Sequence, residues 1–131
     1  MTAKIMSTTA ITVASCFIGK PDIFFRVLCI MLVLDFLTGI MKALKTGTYR
    51  SNTFKIGLFK TTGYFISLVA VEQLDIMCKA NGMFRNVMIS FIVGNEGLSI
   101  VENLGVLGVK FPSVITNALA NLRTHTSNID K

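Results

Sequence analysis

The chain has 131 residues, of which 52% are apolar and 15% charged. A soluble domain carries about 25% charged residues, and a soluble helical bundle built from this chain would lack a charged surface. The net charge of +6 comes from basic residues between and after the apolar blocks, as in cytoplasmic membrane loops. No basic helical face interleaved with aromatic residues is present, which excludes nucleic acid as the expected partner.

The first patch, Ile5 to Ile18, is apolar but rich in Thr and Ser and short for a span. Residues 1–20 are therefore an N-terminal segment that lies on the surface or inserts. No small-residue cleavage site marks it as a signal peptide. Lys20-Pro21-Asp22 breaks the chain, and Pro at a first helical position with Asp in the first turn starts a helix. The first predicted span is 21–44. It carries Arg26 near its beginning, where a long side chain reaches the interface, and Asp35 past its middle.

Lys45 to Asn52 reads as a turn from its Gly and small polar residues. The second span is 53–77, with Glu72 and Asp75 near its far end, and Lys79-Ala80-Asn81-Gly82 forms the next turn. The third span is 83–107. Gly108 and Pro112 break it, and 112–123 follows as an amphipathic helix with Val114, Ile115, Ala118, Leu119 and Leu122 on one face. Too short to cross, this helix is expected on the membrane surface or packed under the bundle. Residues 124–131 form a polar tail. The expected architecture is a single all-α membrane domain with about three transmembrane helices and a short C-terminal amphipathic helix.

Orientation follows from the basic residues. Lys42, Lys45, Arg50, Lys55 and Lys60 surround one connection, and Lys110, Arg123 and Lys131 follow the last span. Two crossings separate these regions, so both are expected to be cytoplasmic. Three crossings put the N-terminus outside and the C-terminus inside. A fourth, at Ile5 to Ile18, would bring the N-terminus in.

Cys16, Cys29 and Cys78 show no metal spacing, and the single His125 lies in the tail. With no Gly-rich phosphate loop, no Cys/His cluster and no triad material, neither a cofactor nor an enzymatic activity is expected. The chemistry instead concentrates inside the spans. Asn95, Ser99, Glu102 and Asn103 stand at i, i+4, i+7 and i+8, one stripe of a helix, with Glu96 beside it. A charged residue at the centre of a membrane helix costs about 2.5–3.5 kcal/mol. The stripe must therefore bond other helices of the same chain, join subunits or line water. Asp35, Thr38 and Lys42 share one face of the first span, which offers Lys42 as a partner for Asp35. Arg85 is a partner for Asp75 or Glu72 across the outer turn. Ser90, Gly94 and Gly97 form a strip of small residues on the third span, with Gly39 on the first, and such strips let helices approach closely. Small residues beside a polar stripe predict self-association.

Leu34-Asp35-Phe36-Leu37-Thr38-Gly39 followed by a basic turn resembles the first-helix signature of the phage lysis and toxin-secretion holins, the family-4 group that includes the toxin-release holins of clostridia. Gly57-Leu58-Phe59-Lys60 is similar to the entry of that family's next helix. The run from Asn95 through Glu96-Gly97-Leu98-Ser99 to Glu102-Asn103 resembles its most specific motif. Gly108, Pro112 and the helix to Leu122 are similar to its ending, so the resemblance covers Ile23 to Arg123. It implies a phage or prophage protein of the bacterial cytoplasmic membrane that forms homo-oligomers and opens lesions, releasing an endolysin or a toxin. On this reading Asp35, Thr38, Asn95, Glu96, Ser99, Glu102 and Asn103 serve the lesion or the oligomer, and Gly39, Ser90, Gly94 and Gly97 serve helix packing. An antiholin-like regulator and a small ion or proton channel are the alternatives.

Overall fold

The computed structural model describes Thr8, Gly19 and residues 21–48 and 51–124, without the side chains of 51–53. The Ile5 to Ile18 patch apart from Thr8, and with it Cys16 and the question of a fourth crossing, lies outside the described residues. So do Lys20, Arg50 and the tail from His125 onward.

Among the described residues, four helices follow in chain order after Gly19: α1 (Ile23–Thr46), α2 (Ser51–Cys78), α3 (Met83–Val106) and α4 (Ser113–Thr124). The all-α architecture of three long helices and a short closing one is thus the observed one. Three stretches, Ile23–Thr46, Phe54–Cys78 and Met83–Val106, are long and apolar enough to cross a membrane. At 1.5 Å per residue each spans about 36 Å, against a hydrocarbon core of about 30 Å.

The start of α1 corrects one expectation. Asp22 is the N-cap itself, in extended backbone, and its carboxylate accepts from the Phe25 N–H at 3.1 Å. Pro21 lies one residue before the cap rather than at the first helical position, because the carboxylate supplies the terminal acceptor that the free N–H groups require. At the other end Gly47 adopts φ 67°, the left-handed geometry that closes a helix, and its N–H returns to the Ala43 carbonyl.

The start of α3 is capped from another helix. Gly82, at φ 83°, has no side chain to serve as a cap. Asp75 near the end of α2 takes that role: its carboxylate accepts from the N–H groups of Phe84 at 3.0 Å and Arg85 at 2.7 Å. One carboxylate thereby joins two helices across a tight turn.

Helix α3 is the hub, with α1 packed on it most extensively, then α4, then α2. Within the apolar windows, 39% of α3 is buried, against 11% of α1 and 6% of α2. The apolar core is small, with Leu28, Leu68, Ile89 and Ile92 fully enclosed and Phe25, Leu32, Val71 and Met88 around them. Large apolar residues such as Ile23, Leu44, Phe59, Ile66 and Met77 are exposed, as suits helices whose outer solvent is lipid. The ends pair in register. Asp22 meets Arg85 at one end of α1 and α3, and Lys45 donates to the Val106 carbonyl at 2.8 Å at the other. These contacts make α1 and α3 parallel, with α2 antiparallel between them in sequence.

The placement of α4 corrects a second expectation. It does not lie under the bundle. It turns back and packs alongside α3, because Gly94 and Gly97 leave a groove that Leu119 and Leu122 enter.

Candidate functional site

Where α1, α2 and α3 face one another, the structure encloses a cluster of polar side chains. Its centre is Glu96, whose exposure is 1%. The Lys60 ammonium lies 3.0 Å from Glu96 Oε1 and 3.2 Å from Oε2, and reaches Asp35 Oδ2 at 3.4 Å. Tyr64 follows one turn after Lys60 on the same face of α2. Its hydroxyl donates to Glu96 Oε1 at 2.9 Å and accepts from Asn95 Nδ2 at 2.7 Å. On the other side, Asn103 Nδ2 donates to Thr38 Oγ1 at 3.3 Å and approaches Asp35 Oδ1 at 3.5 Å. Thr38 in turn donates back to the Leu34 carbonyl at 2.9 Å.

Two carboxylates from α1 and α3 thus share one ammonium from α2, and the Tyr64 hydroxyl and the Asn103 amide join their shells. Such an arrangement is needed at this depth. Breaking a buried ion pair by removing one partner costs about 3–5 kcal/mol, because the remaining charge is left without a counter-ion. Beside the cluster is a cavity of about 700 Å³. Asp35, Lys60, Glu96, Ser99 and Asn103 form its polar wall, and the rest is mainly apolar, including Phe36 and Phe54. These two rings meet edge to face at 5.9 Å.

The structure therefore brings together Asp35, Thr38, Asn95, Glu96, Ser99 and Asn103. It separates Glu102, whose side chain is 75% exposed at the end of α3 and pairs with Lys42 at 3.3 Å. The expected Asp35–Lys42 pair is not formed. Lys42 stands two turns, about 10 Å, beyond Asp35, and there it meets the neighbouring helix end instead. Glu96, placed beside the stripe by its spacing, is the centre of the cluster. Lys60 and Tyr64 were not among the expected site residues. Their signal is a Lys and a Tyr at i and i+4 within an apolar helix.

The small residues divide in the same way. Gly39 lies beside Asn103, whose Nδ2 would be 3.9 Å from a Cβ there. Gly94 and Gly97 face α4, and Ser90 lines a second, smaller cavity with Leu122.

A second charged group lies at the opposite end of α1 and α3. Arg85, only 4% exposed, binds Asp22 through two guanidinium nitrogens, at 2.8 and 3.1 Å. The Arg85 guanidinium holds the Asp22 carboxyl below the usual carboxylate range, against the opposing effect of burial. Glu72 stands farther off, 3.9 Å from Nε. Asp75 meets Arg85 through the backbone N–H rather than the guanidinium. The expected pairing of Arg85 with the α2 carboxylates is thus secondary to Asp22, which offers a bidentate fork.

Three membrane-length helices that bring ionisable side chains together between them define a multi-pass membrane protein. The chain belongs to the bacteriophage holin family, whose profile matches residues 12–124. A probable holin of Bacillus phage phi105 is 29% identical over 87% of this chain and 84% of its own length. The Bacillus subtilis protein YqxH is 33% identical over 79% of this chain and 77% of its own. A 14.9 kDa protein of the nagH 3′ region in Clostridium perfringens is 34% identical, covering 79% and 80%. No solved structure matches the chain.

Proposed function

We propose that the chain oligomerises in the bacterial cytoplasmic membrane and opens lesions that release an endolysin or a toxin. The observation that carries this reading is Glu96: a carboxylate enclosed at the centre of a membrane-length helix, held by Lys60 and Tyr64 from another. A bundle that served as an anchor would have no use for this arrangement, since ionisable groups within spans are costly. Here the same groups that seal one chain have the polarity to face water when neighbouring chains rearrange. Asp35, Asn95, Glu96, Ser99 and Asn103 then contribute to a wetted wall, with Glu102 at its cytoplasmic rim. The basic residues around Lys42 to Lys60 and after α3 support a cytoplasmic C-terminus. Residues 1–131 act as one domain, and the activity is non-enzymatic.

Expression in a bacterium that holds an endolysin in its cytoplasm tests this directly. The expected result is abrupt lysis at a reproducible time, dependent on the endolysin. Selective ion conductance without passage of the enzyme would replace the lesion with a small channel. Absence of lysis alone, with delay of a partner holin, would make the chain an antiholin-like regulator.

A further inference from the structure

The cluster between the helices sets one ammonium against two carboxylates, and the two are not held equally. Glu96 has the Lys60 ammonium at 3.0 Å and the Tyr64 hydroxyl at 2.9 Å. Asp35 has Lys60 at 3.4 Å and the Asn103 amide at 3.5 Å, both at the far edge of hydrogen-bond range. A carboxylate offers about four acceptor positions. Asp35 is therefore a weakly satisfied acceptor, and it forms part of the wall of the cavity of about 700 Å³. Its side chain keeps 16% of its exposure there.

The cavity lies in the gap between α1 and α2. Both helices pack on α3, while their own backbones hardly approach each other. Val33 and Phe36 of α1 and Phe54 and Leu58 of α2 line the cavity and are exposed on the outer surface. The entrance thus faces lipid. Asp35 stands twelve residues into α1, about 18 Å along the axis, so the acidic wall lies near the middle of the span.

These features restrict the occupant. It must be soluble in lipid, because the entrance is apolar and bare ions are costly in hydrocarbon. It must bring one positive charge, because the wall carries one cation for two carboxylates. It must be small, since a cavity of this size matches a compact organic molecule. The headgroup of a phospholipid stays at the interface and does not reach this depth. An alkylamine meets all three conditions: it dissolves in lipid as the free base, and as the ammonium it presents three donors. We propose that this cavity binds a lipid-soluble primary amine, its ammonium on Asp35 and its alkyl chain against Phe36, Phe54 and the adjoining apolar wall. Lys60 and the bound ammonium then balance Asp35 and Glu96. The site is a property of the closed bundle and does not depend on the lesion reading.

The test uses the full chain with Cys16→Ser and Cys78→Ser, which keeps Cys29 on the cavity wall as a reporter. The protein is reconstituted in phosphatidylcholine vesicles, whose surface has no net charge to attract cations. The rate of Cys29 modification by methyl methanethiosulfonate is followed against added octylamine and against 1-octanol, compared at equal membrane-bound concentration. A hydrogen bond to a charged group is worth about 1.5–3 kcal/mol. Octylamine is therefore expected to protect Cys29 at a concentration at least about tenfold lower than octanol, tenfold being about 1.4 kcal/mol. Asp35→Asn removes the surplus charge and leaves the enclosed Lys60–Glu96 pair in place. Ser99→Lys instead delivers a tethered ammonium to the same wall. Both are expected to abolish the preference for the amine, and Ser99→Lys keeps the test open where Asp35→Asn does not fold. Equal protection by octylamine and octanol in the parent protein would leave an apolar cavity without a cation site and overturn the proposal. So would no protection by octylamine, or a preference that survives in either folded variant.

Discussion

The Lys60 ammonium and the Glu96 carboxylate lie 3.0 Å apart between α2 and α3, and Glu96 is almost completely enclosed. Removing the cation therefore leaves a buried charge without its partner. Lys60→Met is expected to destabilise the bundle by about 3–5 kcal/mol, read from denaturant unfolding in detergent micelles. The double variant Lys60→Met with Glu96→Leu is expected to recover the part of that loss that belongs to Glu96, while Asp35 stays without its cation. A double variant as unstable as the single one would show that the pair is not what holds the helices.

Tyr64 offers a smaller and more specific probe. Its hydroxyl donates to Glu96 and accepts from Asn95. Tyr64→Phe leaves the buried Glu96 and the half-buried Asn95 each short of a partner, at an expected cost of about 1–3 kcal/mol. The ring remains, so a loss much larger than this would point to packing rather than hydrogen bonding.

The two glutamates of α3 should behave differently. Glu102→Gln breaks an exposed pair with Lys42, worth about 0–1 kcal/mol, and is expected to leave stability unchanged within error. Glu96→Gln disturbs the enclosed cluster and is expected to shift the time of lysis, together with Asn95→Leu. Lysis curves at matched membrane abundance provide the comparison. Unchanged timing in both Glu96→Gln and Asn95→Leu would remove the cluster from the mechanism.

Asp22 predicts a dependence on acid. Its carboxyl is held low by the Arg85 guanidinium in the folded chain. A depressed carboxyl contributes stability above its unfolded value, and that contribution is lost as the pH falls through the folded value. Unfolding of the wild-type protein in micelles is thus expected to become easier as the pH drops through and below the ordinary carboxylate range near 3.8. Asp22→Asn should lose that part of the dependence and be less stable at neutral pH. Parallel acid profiles for the two proteins would contradict the assignment.

Asp75 predicts a local effect. Asp75→Ala removes the acceptor for the Phe84 and Arg85 N–H groups, and loss of such a cap costs about 0.5–2 kcal/mol. Hydrogen exchange at these two amides is expected to accelerate more than at the centre of α3. Uniform acceleration along the helix would indicate global destabilisation instead.

Much of this site was legible as a set of polar residues and less of it as a set of partners. Asn95, Ser99 and Asn103 share a stripe because helical spacing is local. Lys60 escaped notice as a partner because basic residues near the start of a span read equally well as orientation signals. The pairing of Arg85 with Asp22 was hidden for a related reason: Glu72 and Asp75 are nearer in sequence, but the parallel packing of α1 and α3 brings Asp22 to the guanidinium.

By itself the sequence determined the three membrane-length helices, the short closing helix and the presence of costly polar groups within the spans. These properties depend on hydropathy, periodicity and breakers, which act over a few turns of chain. Tertiary structure decided that Lys60 serves both Asp35 and Glu96, that Asp75 caps a helix other than its own, and that α4 lies against Gly94 and Gly97. Each of these depends on which helix faces meet and in what register. That is set by packing across the bundle, where glycine leaves room for another backbone and a buried carboxylate must find a cation or an N–H.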